Sequence, residues 1–262
     1  MNCVPPVRLI LSNMAIKRSA RRIVVALVAT LSIAGAVYFT LALAEVGKHK
    51  DKLWLHRCNS IEKLNEKYGD YTNVELDVCF RDSVFDVTHD VDSSFGLNVE
   101  KYFAFFALHE GKMWLDLKNL TLENSDAVHA ALTDLTKRYG VDRSRLIVES
   151  RTHKALRKLT KAGFYTSCYV DFAPPSELSD TDLSLCLDTL RAVADSGDVR
   201  ALSFPGWWYE TISECLDRNI DLLTWEHRKT QLVFFLMPGS NAMLDDNRLK
   251  VILIKDKGKY HR

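Results

Sequence analysis

From residue 52 onward, short apolar runs alternate with stretches in which apolar residues recur every three or four positions. The runs are 52–56, 74–80, 112–118, 145–149, 164–170, 199–204, 221–226 and 250–255. Each has the length and composition of a strand. The stretches between them are 61–68, 122–139, 153–162, 180–194 and 209–218. In 122–139, Val128, Leu132, Leu135 and Tyr139 share one helical face. Gly140 and Gly163 follow their helices where C-terminal caps are expected. Ser179 or Asp180 can cap the helix that leads to Ala194. Eight strands alternating with helices predict a (β/α)8 TIM barrel. The rival is an open doubly wound sheet, but no glycine-rich loop follows the first strand, where a dinucleotide site would need one.

The N-terminal pattern is different. Ile23–Leu43 is a 21-residue run without a charge. As a helix it would span roughly 30 Å, the thickness of a bilayer core. Arg8, Lys17, Arg18, Arg21 and Arg22 precede it with no acidic residue among them. This bias predicts a cytoplasmic N-terminus and an extracytoplasmic C-terminal domain, periplasmic or lumenal. A single-pass anchor is the expectation, because the run exceeds the roughly 7–15 apolar residues of a signal peptide. Ala42-Leu43-Ala44 has the small-x-small pattern of a cleavage site, and a start at Met14 would shorten the basic segment. The expected organisation is a basic N-terminus (1–22), a transmembrane segment (23–43), a linker (44–51) and a barrel domain (52–262).

Composition adds exclusions. A net charge of +1 gives no electrostatic footprint for nucleic acid. Glycine and proline are sparse, and no repeat at solenoid or propeller period occurs. Five of the six cysteines follow the apolar run, an odd number without CxxC spacing, so no disulfide framework is indicated. Cys79, Cys168, Cys186 and Cys215 fit small buried apolar positions. Nothing in the pattern specifies an oligomer.

In a barrel, chemistry belongs at the C-terminal ends of strands. Polar residues gather there: His56 and Arg57, Glu75 and Asp77, Asp116 and Lys118, then Glu149, Tyr169, Asp171, Ser203, Trp225, Glu226 and Lys255. Glu75 and Asp77 lie on one face of an apolar strand, and a second short strand, 84–88, leads to His89 and Asp90. Two buried carboxylates side by side usually need a cation to hold them.

Taken in order, His56-Arg57, Glu75-x-Asp77, His89-Asp90 and Asp116-x-Lys118 resemble the motifs of the glycerophosphodiester phosphodiesterase family. The resemblance covers roughly residues 53–119, with Leu223-Thr224-Trp225 similar to an aromatic strand end in those enzymes. It implies a barrel fold and a divalent cation, Mg or Ca, on Glu75, Asp77 and Asp116. It implies His56 and His89 as general base and acid on a phosphodiester. Arg57 and Lys118 would bind the phosphate, and Trp225 the substrate. The substrate implied is a small phosphodiester or a lipid-derived headgroup. The chain departs from the pattern where Cys58 replaces a glycine after His-Arg, so that its side chain could crowd the phosphate site, and where Asp116 replaces a glutamate. Only 26 residues separate His89 from Asp116, where the family carries a longer insertion.

Blander uses compete with each assignment. Asp116 and Lys118 can be an internal ion pair, His89 a turn residue, and Trp207-Trp208 core packing. His109, His129, His153, His227 and His261 read as surface or helix residues, and 255–262 as a solvated tail. The alternatives to a phosphodiester hydrolase are a non-catalytic, membrane-anchored barrel binding a phosphorylated or glycan ligand, and a scaffold for envelope proteins.

Overall fold

The computed structural model describes residues 7–226, 230–235 and 239–260. The chain divides into two units between Lys48 and His49. In the first, the uncharged run lies inside one helix, α1 (Val7–Lys48). Its segment Ala20–Leu41 has a mean hydropathy of 2.2, and none of it is buried. Such a helix is long and apolar enough to cross a membrane, and a signal sequence has the same character.

The second unit contains β1 (Leu53–Leu55), β2 (Val74–Arg81), β3 (Val84–Val87), β4 (Met113–Leu117), β5 (Leu146–Ser150), β6 (Tyr165–Tyr169), β7 (Ala201–Pro205), β8 (Asp221–Glu226) and β9 (Leu249–Ile254). Eight of these run parallel in the order β1-β2-β4-β5-β6-β7-β8-β9, and β9 pairs back onto β1 to close the ring. The short β3 stands outside the ring, antiparallel to β2. Around the strands lie α2 (Ile61–Lys67), α3 (Glu100–Leu108), α4 (Ser125–Tyr139), α5 (His153–Lys161), α6 (Asp180–Asp195), α7 (Tyr209–Cys215), α8 (Gln231–Phe235) and α9 (Ser240–Asp245).

Alternation along each strand sends one set of side chains outward to the helices and the other into the ring. Trp54, Trp114, Ile147, Ala201, Leu223, Trp225, Val251 and Leu253 pack together as one buried cluster, joined by Tyr165 and Tyr169. The caps follow the sequence: Ser179 Oγ accepts from the Asp182 N–H, and Gly140 ends α4 at φ 64°.

Some expectations need correction. Helix α3 has no counterpart in the sequence reading. Its segment, EKYFAFFAL, is apolar on nearly every side, so the 3.6-residue period is masked, although only Tyr102, Phe103 and Phe106 are buried. The two tryptophans separate: Trp208 is buried, with Nε1 donating to the Ala173 carbonyl at 3.1 Å, while Trp207 is half exposed. Cys58, Cys79 and Cys168 are buried free thiols, but Cys186 is only half-buried and Cys215 is exposed. Residues 257–260 of the tail are exposed, as expected, although the backbone is tethered: the Lys259 N–H donates to Glu66, and Ser60 Oγ to the Tyr260 carbonyl. His227, His261, Arg262 and Cys3 lie outside the described residues.

Candidate active site

At the C-terminal ends of the strands a cavity of about 700 Å³ opens. His56, Arg57, Glu75, Asp77, His89, Asp116, Lys118 and Trp225 all line it. Strand register explains part of this convergence. Asp77 is level with Asp116, and Asp116 with Glu149, so three neighbouring strands present a row of inward carboxylates. Glu75 sits one inward position lower on β2, level with Trp114.

The turn after β1 is strained and heavily held. Arg57 has φ 51°, a left-handed conformation that costs an ordinary residue about 1–2 kcal/mol. Its N–H donates to Glu75 Oε2 at 2.6 Å, and the next N–H, of Cys58, donates to the Glu75 carbonyl at 2.8 Å. The fully buried Lys63 donates from Nζ to the carbonyls of His56 (2.9 Å) and Arg57 (2.8 Å). Tyr102 Oη donates to the Cys58 carbonyl at 2.6 Å. The Cys58 side chain is buried and does not line the cavity, so it does not crowd the phosphate position. Burial pushes its thiol up to about 12. The left-handed residue is therefore the arginine, and the position after it needs no glycine.

The acids form one electrostatic unit. Oxygens of Glu75, Asp77 and Asp116 lie within 4.8 Å of one another. Lys118 Nζ bridges Asp77 Oδ1 (2.6 Å) and Asp116 Oδ2 (2.5 Å), the ion pair that the blander reading of Asp116 and Lys118 allowed. Asn59 binds Asp77 twice: Nδ2 donates to Oδ2 at 2.7 Å, and Oδ1 accepts from the Asp77 N–H at 3.0 Å. Arg57 Nε stands 3.5 Å from Asp77 Oδ2. Burial would raise Asp77, but the Lys118 charge and hydrogen bond, with Arg57 and Asn59, hold it at about 2. Burial and the charges of Asp77 and Asp116 push Glu75 well above the usual carboxylate range. Burial also raises Asp116, against the pull of Lys118. Burial would lower Lys118, but the three acids outweigh it and raise its ammonium.

This donor set fits a hard divalent cation. It is oxygen-only, and ligands about 2.0–2.6 Å from one ion lie within about 4–5 Å of each other. The upward push on Glu75 marks a cluster short of positive charge.

The histidines differ in setting. His56 Nε2 is 3.7 Å from Glu75 Oε2, and its Nδ1 is buried without a hydrogen-bond partner among the described residues. Burial, reinforced by Arg57, Lys255 and Lys63 against the opposing charge of Asp77, lowers its pKa well below the ordinary value. His89 is half exposed on the loop after β3, with Nδ1 3.0 Å from Asp90 Oδ1. Arg81, at the end of β2, clamps that loop. It pairs with Asp86 at 2.6 Å and donates to the carbonyls of Asp90 (3.0 Å) and Val91. Thr88 adds a 3.3 Å hydroxyl contact with Ser93 across the loop.

Across the ring the wall has another character. Glu149 is buried, accepts from Ser203 Oγ, and is pushed well above the carboxylate range by burial and by Asp116. Tyr169 stacks on Trp225 with centroids 4.9 Å apart and planes at 17°. Arg151 lies over Tyr169 at 4.7 Å and pairs with Asp171 at 2.9 Å. Sequence reasoning assigned no part in the site to Asn59, Lys63, Arg81 or Arg151. Glu149 and Tyr169 stood at strand ends without a role, and their inward parity was the available signal.

No family model matches the chain, and no curated protein matches it. Solved structures do. A glycerophosphodiester phosphodiesterase from Parabacteroides distasonis is similar with a TM-score of 0.53 at 17% identity, over 78% of this chain and 92% of that one. A provisionally assigned glycerophosphodiester phosphodiesterase from Galdieria sulphuraria gives 0.53 at 12% identity, over 78% and 93%. One from Silicibacter pomeroyi, also provisionally assigned, gives 0.50 at 15% identity, over 66% and 82%. At these identities the likeness establishes the fold: a (β/α)8 barrel.

Proposed function

We propose that this chain is a divergent glycerophosphodiester phosphodiesterase-like enzyme that hydrolyses a phosphodiester, with His56 and His89 as its acid–base pair. The observation that carries this reading is the meeting of His56 and His89 with Glu75, Asp77, Asp116, Arg57 and Lys118 in one cavity at the strand ends. The barrels it is similar to, described as such phosphodiesterases, support it.

Glu75, Asp77 and Asp116 would hold a divalent cation, Mg or Ca. When bound, it would supply charge neutralisation at the phosphoryl oxygens. His56, neutral because burial disfavours its charged form, suits the general base. It would take the proton of an attacking hydroxyl, from water or from the substrate's own neighbouring alcohol. His89, oriented by Asp90 through Nδ1, would give a proton from Nε2 to the leaving alkoxide. Arg57 and Lys118 would donate to the non-bridging oxygens and to the charge that develops on them. Trp225 would pack against the alcohol. The basic flank of the candidate span supports a single-pass anchor with the barrel outside the cytoplasm.

The test is turnover of a glycerophosphodiester panel by the purified full-length chain, with and without chelator. Activity that chelator abolishes and Mg or Ca restores is expected. Chelator-insensitive turnover would remove the cation from the mechanism. No turnover of any ester would favour a ligand-binding barrel.

A further inference from the structure

We propose that the cavity wall built by β5, β6 and β8 is a subsite for a second anionic group, a carboxylate or a phosphate, on the alcohol of the substrate, with Arg151 as its ligand; this rests on the phosphodiester reading above. In a ring of eight strands, β6 is four strands from β1 in either direction. Tyr169, at the end of β6, therefore stands opposite His56, just beyond β1. With the phosphodiester held by Arg57 and Lys118 on the β1–β4 side, its alcohol reaches toward Tyr169, Trp225 and Arg151, which line the same cavity.

The charges are distributed unevenly. Lys118 is bound between Asp77 and Asp116, and Arg57 stands beside Asp77, so both lie on the acid side of the cavity, where they would meet the phosphodiester. Arg151 is 69% exposed, and Asp171 engages one of its terminal nitrogens. A guanidinium carries five N–H donors in a planar fork, so one carboxylate partner leaves donors for another. The plane is set in advance, because the guanidinium lies on Tyr169, which is itself stacked on Trp225. Such preorganisation reduces the ordering cost of binding. An exposed ion pair like Arg151–Asp171 adds little to stability, so maintenance of the fold does not account for it. A phosphodiester with a neutral alcohol offers this third cation hydroxyl acceptors but no charge to pair with.

Three esters of glycerol phosphate separate the cases. Their second alcohol is glycerol (neutral), glycerate (carboxylate) or glycerol phosphate (phosphate). The kcat/KM ratio of each charged ester to the neutral one is measured for the full-length protein, for Arg151→Gln and for Arg151→Lys. The wild-type chain should prefer one charged ester by about tenfold or more. Arg151→Gln should erase that preference through KM, and Arg151→Lys should keep part of it. The preferred ester tells carboxylate from phosphate. A wild-type ratio near one for both charged esters, or a ratio unchanged in Arg151→Gln, overturns the subsite. Should no ester be hydrolysed, the hydrolase reading fails separately, and equilibrium binding of the same three esters decides. A preference lost in Arg151→Gln then supports the subsite, and equal binding of all three refutes it.

Discussion

The two halves of the ring share a floor and differ in what stands one inward position above it. On β4 and β5, and in the step from β1 into its loop, the inward residue changes from Trp114 to Asp116, from Ile147 to Glu149 and from Trp54 to His56. On β8 and β9 the same step goes from Leu223 to Trp225 and from Val251 to Leu253, and both members stay apolar. Except on β2, where Glu75 already stands level with Trp114, packing and chemistry are thus separated by two residues along a strand. The apolar floor excludes water from below, which is why burial shifts Glu75, His56 and Glu149 so far. The polar half carries the reacting groups, and the aromatic half shapes what reaches them.

The largest effect should come from the polar half. His56→Ala or His89→Ala should each lower kcat by about 10²–10⁴-fold with unchanged circular dichroism. Near-normal turnover in both variants would end the acid–base assignment. The aromatic half should respond differently. Trp225→Leu keeps an apolar side chain but removes the ring that stacks on Tyr169, and should raise KM by about tenfold, more than it lowers kcat. A kcat loss as deep as that of the histidine variants would erase the distinction between the halves.

Arg81 sharpens the comparison, because it holds His89 without facing substrate. Arg81→Ala should lower kcat by about tenfold with KM little moved, since a loosened loop misplaces the acid. Arg81→Lys should recover part of the loss. Equal changes in kcat and thermal midpoint across both variants would make the clamp merely structural.

The smallest effect is in pH. His56 is held below its ordinary value, so it stays neutral as pH falls through about 6.5 and takes a proton only lower down. The acid limb of kcat/KM should therefore have its midpoint below about pH 6.5. The same shift has a stability sign. Below about pH 6.5 the unfolded chain binds a proton that the folded His56 refuses, so this group's contribution to stability falls as pH drops. An acid limb at or above pH 6.5 would contradict a buried neutral base.

Most of the barrel was legible because each ring strand is buried on both faces and reads as an apolar run. Helix α3 was not, since its aromatic residues hide their own period. In the site, ordered short motifs with the right parity brought out His56, Glu75, Asp77, His89, Asp116 and Lys118. Arg151 and Arg81 carry no such mark, because an isolated arginine is ordinarily a surface residue.

By itself the sequence determined the alternation of strands and helices, the apolar N-terminal run, and which side chains share the inward parity of their strands. These are local properties, set by a two-residue or 3.6-residue period. Ring closure decided the rest. It set Asp77, Asp116 and Glu149 at one level, placed Lys118 between two of the acids, and put Tyr169 across from His56. It also buried Cys58 away from the cavity, and the left-handed turn falls on Arg57. Distances between residues far apart in the chain, and the loss of water that shifts their protons, exist only once the strands have paired.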